Sequence, residues 1–427
     1  MKSILKALVA GVLAVLAQAV VQKYRPLIVM VTGSVGKTST KDAAAAVLAR
    51  RYHLRASEKS YNSEFGVPLT IIGAKNPWNN PAAWLRVFKD AFALILLPSH
   101  YPKLLVLEVG ADRPGDLARI LRIVKPDAVI VTRLPDVPVH VEAYASPQAV
   151  RDEEFAPAYA LQNGSPLIIS ADDPNAVTMA ARLSVKITTF GFTDGADVRL
   201  EGYSFFEEGD LCGMEAVLNV KGETCTLRVP GALGKSQLYA PAAAIAAALS
   251  LDTTLKLALE GVEAYVPPAG RGRILRGKNG SFLIDDSYNA SPAAVEEALA
   301  ALQLLPNTGR RIAVLGDMLE LGRYSAKEHA HVGTLARERV DLLVTVGARS
   351  KATAEAARAA GMHDDAVFSF DTAVEAAALL EGMIGERDVI LVKGSQSIRM
   401  ERVAERLLAD SADQTKLVRQ ESEWKAR

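Results

Sequence analysis

The residues best suited to chemistry lie in one short loop near the beginning of the chain, within the sequence VTGSVGKTST. Glycines at positions 33 and 36 let the backbone curl with its N–H groups pointing inward, toward bound phosphate oxygens. Lys37 can then reach the outer phosphates of a nucleotide, and the Thr38 hydroxyl can bind Mg²⁺. The predicted nucleotide contacts of this loop are Gly33, Ser34, Gly36, Lys37, Thr38 and Ser39.

The spacing of this loop, G-x-x-G-K-T, is two residues shorter than the common pattern G-x-x-x-x-G-K-[ST]. Its context nevertheless fits, because the apolar run Leu27–Val31 predicts a buried strand before it and the alanines after Thr40 predict a helix. The alternative is an ordinary strand-to-helix turn in which Lys37 is a solvated surface residue. The combination of strand, glycine loop and helix favours a variant phosphate loop.

Two more candidate residues lie at or beyond the ends of predicted strands. Glu108 is near the end of the apolar run Leu104–Val109, and His140 follows the predicted strand Asp127–Arg133 in a loop. Because the carboxyl ends of parallel strands meet at one edge of a sheet, both side chains are candidate Mg²⁺ ligands beside the phosphate loop. The alternative for His140 is a plain solvated side chain.

The order of the predicted elements indicates an α/β fold with two sheets. Apolar strands alternate with helices up to residue 170, and alternating segments in residues 196–229 predict an antiparallel section. The segment Pro267–Gly270 predicts a linker, beyond which strands and helices alternate again, as in a doubly wound parallel sheet. The predicted units are an apolar helix (residues 1–26), a central domain with a mixed sheet (27–267) and a C-terminal domain (268–427).

Polar side chains follow three predicted strands of the C-terminal domain. The segments are DDSYN at 285–289, GDM at 316–318 and KGS at 393–395. Ligands of doubly wound sheets bind at the carboxyl ends of the strands, so this edge is predicted to form part of a site. The last residues, 410–427, are polar and predict a helical tail.

The composition describes a globular protein of more than one domain. Its 427 residues include 49 Lys or Arg and 49 Asp or Glu, so no net charge favours nucleic acid as a partner. Cys212 and Cys225 are too few for a disulfide framework or a zinc site, which favours a reducing cytosol. The expected partners are therefore small-molecule substrates, and the composition leaves the oligomeric state open.

An apolar segment at residues 4–21 precedes the phosphate loop. Lys6 and Gln18 interrupt it, and its uninterrupted run of 11 residues is shorter than the ~20 needed to span a bilayer. A cleaved signal peptide fits poorly, because the loop that follows needs cytosolic nucleotide. We expect a helix that docks on its own domain or lies on the inner face of the cell membrane, in a cytoplasmic protein.

Six sequence blocks are together specific enough to suggest a family. In order, they are VTGSVGKTSTKD, YNSEFGVPLT, LEVGADRPGDLARI, IDDSYNASPAAVEEAL, VLGDMLELG and VKGSQSIRMERV. They resemble the Mur ligases, and among them most closely those that add D-alanyl-D-alanine to a UDP-N-acetylmuramoyl tripeptide. The resemblance extends from about Leu27 to Leu408.

This resemblance implies an ATP- and Mg²⁺-dependent enzyme that forms an amide bond through an acyl phosphate. A central ATPase domain and a Rossmann-like C-terminal domain would close over the substrates. Lys37 would offset charge on the transferred phosphoryl group, while Thr38, Glu108 and His140 would hold metal. The resemblance further assigns ATP contacts to Asp286 and Asn289, the acceptor site to Asn62 and Gly66, a hinge position to Arg271, and the incoming amine to Lys393, Ser395 and Arg399.

The chain departs from the family pattern at several positions. The family carbamylates a lysine to complete a second Mg²⁺ site, and counting from Ser146 places Glu154 at that position. A glutamate offers a carboxylate without carbamylation; the alternatives are the adjacent Glu153, or a solvated helix face that carries both acids. The other departures are Arg133 for an Asn, Ser236 and Gln237 for a His-Asn pair, and Ala240 for a second Asn.

Three functional hypotheses remain open from the sequence. The first is an active ligase that joins an amino acid or dipeptide to a cell-wall peptide precursor. The second is a nucleotide-binding module without ligase activity, which would explain the changed metal residue but not Lys393 and Arg399. The third is a membrane-associated enzyme for a lipid-linked muropeptide or another acceptor such as a polyglutamate. It would explain an apolar helix where the family has its UDP-binding domain.

Overall fold

The computed structural model describes residues 2–58, 61–77, 80–209, 211–306, 309–421 and 424. The strands are β1 (Leu27–Thr32), β2 (Leu54–Ala56), β3 (Leu104–Glu108), β4 (Ala128–Val131), β5 (Pro166–Ser170), β6 (Lys186–Gly191), β7 (Val198–Glu208), β8 (Leu211–Val220), β9 (Glu223–Pro230), β10 (Arg273–Arg276), β11 (Phe282–Asp286), β12 (Arg311–Gly316), β13 (Leu342–Val346), β14 (Val367–Phe370) and β15 (Val389–Lys393).

The α-helices are α1 (Lys2–Tyr24), α2 (Lys37–Leu48), α3 (Gly66–Ile72), α4 (Pro81–Leu96), α5 (Asp116–Ile123), α6 (Pro147–Glu154), α7 (Ala156–Tyr159), α8 (Pro174–Ala180), α9 (Ser236–Ser250), α10 (Leu255–Glu263), α11 (Pro292–Ala301), α12 (Ser325–Arg339), α13 (Lys351–Ala359), α14 (Ala373–Met383) and α15 (Glu401–Leu407).

The first sheet has nine strands in the order β2-β3-β1-β4-β5-β6-β7-β8-β9. The strands from β2 to β7 pair in parallel, and β7, β8 and β9 pair antiparallel. The central strands β1 and β3 are apolar and buried because helices cover both faces of the parallel part, whereas buried and exposed residues alternate along β8. The predicted mixed sheet is confirmed.

The second sheet has six strands in the order β10-β11-β15-β12-β13-β14. Strand β10 is antiparallel to β11, and the other pairs are parallel. The carboxyl ends of β11, β12 and β15 therefore share one edge, which carries Asp286, Gly316 and Lys393. The predicted doubly wound arrangement is confirmed, and three of the polar segments noted in the sequence lie at its binding edge.

Helix α9 supports the helix that follows the phosphate loop. It is rich in alanine and almost completely buried from residue 237 to residue 248. Small side chains let α2 pack closely against it, and α10 approaches α2 so closely that a Cβ at Gly261 would lie 2.4 Å from the Val47 Cα. This packing fixes the direction in which the N-terminus of α2 points.

Helix α1 docks on its own domain, which was one of the two predicted arrangements. Leu13, Ala17 and Val20 are buried on a face that contacts α3, α4 and α5. Lys23 Nζ also donates to the carbonyls of Leu94 and Leu97, at 2.8 and 2.6 Å, and so caps the C-terminus of α4. Among the helices described, none has the length and apolar character required to cross a bilayer.

The structure differs from the sequence prediction in three strands and in the tail. Strands β2, β6 and β10 were not predicted, because they are short or lack a clear apolar run. The tail was predicted as a polar helix, and this was wrong: residues 411–416 form a 3₁₀ turn, and Leu417 and Arg419 are buried. Leu417 packs into the apolar core beside the second sheet, so the described part of the tail belongs to the folded domain.

Candidate active site

The phosphate loop connects β1 to α2 at the edge where the parallel strands end. Helix α2 begins at Lys37, with Gly36 at its N-cap in a left-handed conformation, φ 89°. Gly33 has φ 117°, and a Cβ there would lie 2.4 Å from the Thr132 hydroxyl oxygen, so a larger residue would not fit. Both glycines are therefore required by the backbone, and the loop curls at a helix N-terminus, where an anion is stabilised.

The Lys37 side chain folds back over its own loop. Its Nζ donates to the Gly33 carbonyl at 2.5 Å and lies 3.4 Å from the Ser34 carbonyl. Asn62 is close to it, since a Cβ at Gly110 would lie 3.0 Å from Asn62 Nδ2 and 3.4 Å from Lys37 Cε. Because an ammonium group has three N–H donors, it can also bind a phosphate oxygen beside these carbonyls.

Thr38 and Glu108 form a small polar pair beside Lys37. Thr38 Oγ1 donates to Glu108 Oε1 at 3.3 Å, and Glu108 Oε2 is buried with no hydrogen-bond partner among the described residues. Burial raises the pKa of Glu108, against the opposing charges of Lys37 and Lys41. A hydroxyl and a carboxylate with an unsatisfied buried oxygen are suitable Mg²⁺ ligands, so these two residues fit the metal.

Glu154 reaches the phosphate loop from the last residue of α6. It is 2% exposed, and its Oε2 accepts a hydrogen bond from Ser34 Oγ at 2.5 Å. Burial raises its pKa, although the charge of Lys37 and the bond from Ser34 act in the opposite direction. The interpretation of a solvated helix face is therefore wrong for Glu154. Glu153 instead accepts two backbone N–H groups at the start of α5, at 3.1 and 2.9 Å.

His140 contacts the C-terminal domain. Its Nδ1 lies 2.9 Å from Glu320 Oε2, and its Nε2 lies 3.5 Å from Asp112 Oδ1. Burial would lower the pKa of His140, but the hydrogen bond and the charge of Glu320, with the charge of Asp112, outweigh it and raise the pKa. In the described part of the chain no three His, Cys, Asp or Glu residues are grouped to hold a metal. Glu108, His140 and Glu154 therefore do not converge on one point.

A cavity of about 460 Å³ lies between the phosphate loop and the edge of the second sheet. On its C-terminal wall Lys393 Nζ pairs with Asp286 Oδ2 at 2.7 Å and donates to the Asn289 carbonyl at 3.1 Å. The Lys393 side chain is only 3% exposed, so this wall carries a fixed, desolvated charge pair. The predicted site residues that line the cavity are Ser34, Gly36, Ser39, Arg271, Asp286, Asn289 and Lys393.

Arg271 bridges the two walls. Its guanidinium lies 4.1 Å from the centroid of the Tyr288 ring, and its Nη2 donates to Thr38 Oγ1 at 3.5 Å. Its carbonyl accepts a hydrogen bond from Gln237 Nε2 at 3.0 Å. Arg271, which follows the predicted hinge, thus brings a positive charge to the Thr38 hydroxyl at the start of α2.

Two family models match the sequence. The model of the Mur ligase middle domain matches residues 31–248, and the model of the Mur ligase, glutamate ligase domain matches residues 270–396. The chain belongs to the Mur ligase family. Members of this family are ATP-dependent ligases that require Mg²⁺, so the enzyme class and cofactors expected from the sequence are confirmed.

Similar proteins align with most of the sequence of this Mur ligase. The UDP-N-acetylmuramoyl-tripeptide–D-alanyl-D-alanine ligase of Bacillus subtilis (strain 168) is 26% identical over 394 residues, which are 92% of this chain and 78% of that protein. The ligase of the same name from Escherichia coli (strain K12) is 27% identical over 403 residues, 92% and 79% of the two chains. The structure of MurF ligase from Thermotoga maritima in complex with ADP has a TM-score of 0.76 at 24% identity, covering 93% of this chain and 83% of that chain, and shows the fold.

Two residues that this Mur ligase was predicted to present to the incoming amine are not part of the cavity lining. Ser395 Oγ accepts the N–H of Leu319 at 2.9 Å. Arg399 pairs with Glu401 and donates to the Trp424 carbonyl at 3.2 Å. Both side chains are therefore engaged within the C-terminal domain, and their substrate roles stay predictions.

The two predicted acceptor residues of the ligase lie in one segment before α3. Asn62 lies beside Lys37, within reach of the phosphate loop. Gly66 is the first residue of α3, and a Cβ there would lie 2.5 Å from the Tyr61 backbone, so glycine is needed for close packing of the chain. The structure thus gives Gly66 a folding role, and the acceptor role of both residues stays a prediction.

Sequence reasoning missed the side chains that join the two domains of this ligase. Glu320 faces His140, although its block, VLGDMLELG, had been singled out. Arg133, noted only as a departure from the family, pairs with Glu297 of α11 across the cavity. These partners lie far apart in sequence, so no local spacing could have indicated the pairs.

Proposed function

We propose that this Mur ligase adds D-alanyl-D-alanine to a UDP-N-acetylmuramoyl tripeptide in the synthesis of peptidoglycan precursors. The printed activity of the Bacillus subtilis and Escherichia coli relatives supports this choice of substrates. The observation that carries it is the cavity itself, which has the phosphate loop on one wall and the pair of Asp286 with the buried Lys393 on the other. Such a site can hold a nucleotide while a second, charged substrate is held beside it.

The proposed reaction has two steps. A carboxylate oxygen of the acceptor attacks the γ-phosphorus of ATP, the bond from that phosphorus to the bridging oxygen breaks, and ADP leaves. The amine nitrogen of the dipeptide then attacks the acyl carbon and gives up a proton, and phosphate leaves with the electrons of the C–O bond. Lys37, whose ammonium group is held over the loop by the Gly33 carbonyl, offsets charge on the transferred phosphoryl group.

The proposed Mg²⁺ ligands are Thr38, Glu108, His140 and Glu154. Mg²⁺ bound there would neutralise part of the phosphate charge. The unsatisfied Glu108 oxygen supports a position next to Thr38, and the buried Glu154 carboxylate supports a second position next to Ser34. His140 would bind metal through Nε2 while Nδ1 keeps its contact with Glu320, since a carboxylate on the second ring nitrogen fixes the orientation of a ligating imidazole.

The proposed working units are the apolar helix of residues 1–26, the central domain of residues 27–267 and the C-terminal domain of residues 268–427. The two separate sheets support this division, because the first ends with β9 and the second begins with β10. The proposed contacts are Asp286 and Asn289 for ATP, Asn62 and Gly66 for the acceptor, Arg271 at the hinge, and Lys393, Ser395 and Arg399 for the amine. Closure of the two domains on bound ATP would bring these sets together.

Phosphate release separates this function from its alternatives. The measurement uses ATP and Mg²⁺ alone, then with each substrate, then with both. The proposed ligase releases phosphate at a sustained rate only when the muramoyl tripeptide and D-alanyl-D-alanine are both present. A nucleotide-binding module would release none under any condition. Turnover that requires a lipid-linked muropeptide or a polyglutamate would instead show that the acceptor has been misassigned.

A second proposal concerns the location of the enzyme and starts from α1 and α4. These helices run side by side in the same direction, since Leu13 packs in one apolar cluster with Val87 while Lys23 reaches the far end of α4. Sixteen large apolar side chains are exposed among the described residues, and seven of them lie on or directly after these two helices. The seven are Leu8, Val12, Val15, Leu85, Phe92, Leu96 and Leu97.

The charge of these segments differs from that of the whole chain. Residues 1–26 contain four Lys or Arg and no Asp or Glu, and residues 74–103 contain four Lys or Arg and one Asp. The whole chain has no net charge, so the remainder is acidic by the same amount. Arg86 and Lys89 are exposed on α4 beside the apolar residues. An apolar strip flanked by basic side chains is typical of a helix that lies on an anionic bilayer.

We propose that α1 and α4 form a docking face for the anionic inner surface of the cell membrane, in an otherwise cytoplasmic enzyme. Cosedimentation with vesicles of phosphatidylcholine alone, or mixed with phosphatidylglycerol, tests it. Binding to the mixed vesicles only, weakened by salt and lost in the Leu85→Ser, Leu96→Ser double variant, is the expected result. The matched control is Ile187→Ser with Val374→Ser, which removes exposed apolar residues elsewhere. Absence of vesicle binding, or self-association through this face in light scattering, would contradict the proposal.

A further inference from the structure

The C-terminal tail inserts a buried arginine behind the DDSYN loop (residues 285–289). Arg419 is 6% exposed and has a left-handed backbone, φ 58°. Its Nη1 pairs with Glu401 Oε2 at 2.8 Å and donates to the Ser287 carbonyl at 3.2 Å, and its Nη2 donates to the Tyr288 carbonyl at 2.6 Å. A left-handed conformation is unfavourable for arginine, so these contacts must hold it in place.

Tyr288 connects this arginine to the phosphate loop. Its ring centroid lies 5.4 Å from the Arg419 guanidinium and 4.1 Å from that of Arg271. Its N–H also donates to the Gly270 carbonyl at 3.1 Å, immediately before Arg271. Arg271 in turn reaches the Thr38 hydroxyl at 3.5 Å. A continuous series of contacts therefore runs from the tail, through one aromatic ring, to the residue that starts the nucleotide-binding helix.

The hinge glycine packs directly on the tail. A Cβ at Gly270 would lie 2.8 Å from Val418 Cγ1 and 3.1 Å from the Tyr288 nitrogen, and its φ of 66° also favours glycine. Glu401, the carboxylate that holds Arg419, is almost fully buried and pairs on its other side with Arg399. One buried acid thus joins the tail to a residue predicted to face the amine substrate.

We propose that Arg419 is a positioning residue for catalysis, which holds Tyr288 and thereby fixes the Arg271 guanidinium at the phosphate-binding end of the cavity. Arg419 itself touches neither substrate nor nucleotide. Both guanidinium groups make cation–π contacts with the Tyr288 ring, so the ring links the position of Arg419 to that of Arg271. The expected change in kcat rests on the proposed function, because it is measured as amide formation. The expected change in nucleotide affinity does not depend on the identity of the substrates.

A double-mutant cycle in the full-length enzyme tests this role. The variants are Arg419→Met, Arg271→Ala and the two combined, and the readouts are kcat for amide formation and Kd for ADP with Mg²⁺. We expect Arg419→Met to lower kcat about tenfold and to weaken ADP binding, because Arg271 loses its fixed position. In the Arg271→Ala background, Arg419→Met should have no further effect on either readout.

Two further variants keep the test decisive. Arg406→Met removes an exposed arginine of the neighbouring α15, which pairs only at the surface with Glu381, and should leave both readouts unchanged. Tyr288→Leu keeps the carbonyl that Arg419 binds but removes the ring, so it should reproduce the Arg419→Met effect. Thermal unfolding shows whether Arg419→Met folds. If it does not, Tyr288→Leu takes its place in the test.

The possible results separate the inference from the proposed function. If Arg419→Met lowers kcat and ADP affinity equally in the wild-type and Arg271→Ala backgrounds, Arg419 has a general structural role and the inference is overturned. An unchanged kcat and ADP affinity in folded Arg419→Met or Tyr288→Leu would also overturn it. A wild-type enzyme that forms no amide product would overturn the proposed function instead, and the ADP-binding cycle would still decide whether Arg419 acts through Arg271.

Discussion

Two lysines of the site differ in how they are held: the hydrogen bonds of Lys37 stay within the phosphate loop, whereas those of Lys393 join distant parts of the chain. Lys37 donates to a carbonyl four residues before it. Lys393 pairs with Asp286, 107 residues away, and Arg419 binds the Tyr288 carbonyl, 131 residues away. Lys37 is held by its own short sequence and Lys393 by the assembly of a whole sheet. Substitution of Lys37 should therefore affect chemistry alone, and substitution of Lys393 should affect chemistry and stability together.

The largest expected effect is the loss of turnover in Lys37→Ala. Without the ammonium group the charge of the transferred phosphoryl group is poorly offset, so kcat should fall about 10³-fold. The free energy of unfolding should change by less than about 1 kcal/mol, because the hydrogen bonds that this side chain makes to the described residues stay within its own loop. Steady-state kinetics and urea denaturation measure the two quantities, with the exposed Lys256→Ala as the control. A retained kcat would remove Lys37 from the mechanism.

The C-terminal wall should respond differently in Lys393→Met. This change leaves the partly buried Asp286 carboxylate, whose side chain is 17% exposed, without its ammonium partner, which costs on the order of 2 kcal/mol of stability. Activity should fall as well, because the wall that faces the nucleotide changes its charge. Asp286→Asn alone and in combination completes a double-mutant cycle in urea denaturation. An unchanged free energy of unfolding in Lys393→Met would mean that the two lysines do not differ in the proposed way.

The Glu154 carboxylate gives an intermediate effect, because it contacts Ser34 of the phosphate loop but comes from α6. Glu154→Gln should raise the Mg²⁺ concentration for half-maximal activity about tenfold and weaken Mn²⁺ binding measured by electron paramagnetic resonance. Glu153→Gln is the control, since Glu153 binds backbone N–H groups at the start of α5. Activity of the wild-type enzyme should not depend on bicarbonate. An unshifted Mg²⁺ dependence in Glu154→Gln would show that this carboxylate does not serve a metal.

The distance along the sequence between contacting residues also explains which features could be predicted from the sequence. The apolar strands, the glycine loop and Lys37 were predictable, because a tight turn and an apolar strand each depend on adjacent residues. Glu154 was placed by counting from Ser146 in the pattern of the family that the sequence resembles. Glu320 and Arg419 were not predictable, because their partners are determined by how β11, β12 and the tail come together, and a polar tail sequence does not reveal a buried arginine.

The last effect concerns Asp285, a fully buried acid near the carboxyl end of β11. Burial raises the pKa of Asp285 to about 6, so the folded state favours its protonated form. The stability that this proton contributes is complete below the unfolded pKa of about 4 and is lost as the pH rises through about 6. Relative to Asp285→Asn, the wild-type protein should therefore lose on the order of 2 kcal/mol between pH 4 and pH 7.

Chemical denaturation across this pH range measures the difference, and Asp388→Asn is a control of opposite sign. Burial of Asp388 would raise its pKa, but the hydrogen bonds from Arg310 and from the Gly385 N–H, with the charge of Arg310, together outweigh it and lower the pKa. The stability contributed by the Asp388 carboxylate is thus present above the unfolded pKa and lost as the pH falls through the folded one. Parallel pH profiles for wild-type protein and Asp285→Asn would contradict the assignment of Asp285 as a buried, destabilising charge at neutral pH.

The most direct test of the central claim is product analysis in a single reaction. The full-length enzyme is incubated with ATP, Mg²⁺, UDP-N-acetylmuramoyl tripeptide and D-alanyl-D-alanine, and the mixture is analysed by mass spectrometry while released phosphate is counted. The account predicts one new amide product, with a mass equal to the two substrates less one water, for each phosphate released, and none with Lys37→Ala. Phosphate release without amide product, or no reaction at all in the wild-type enzyme, would contradict it.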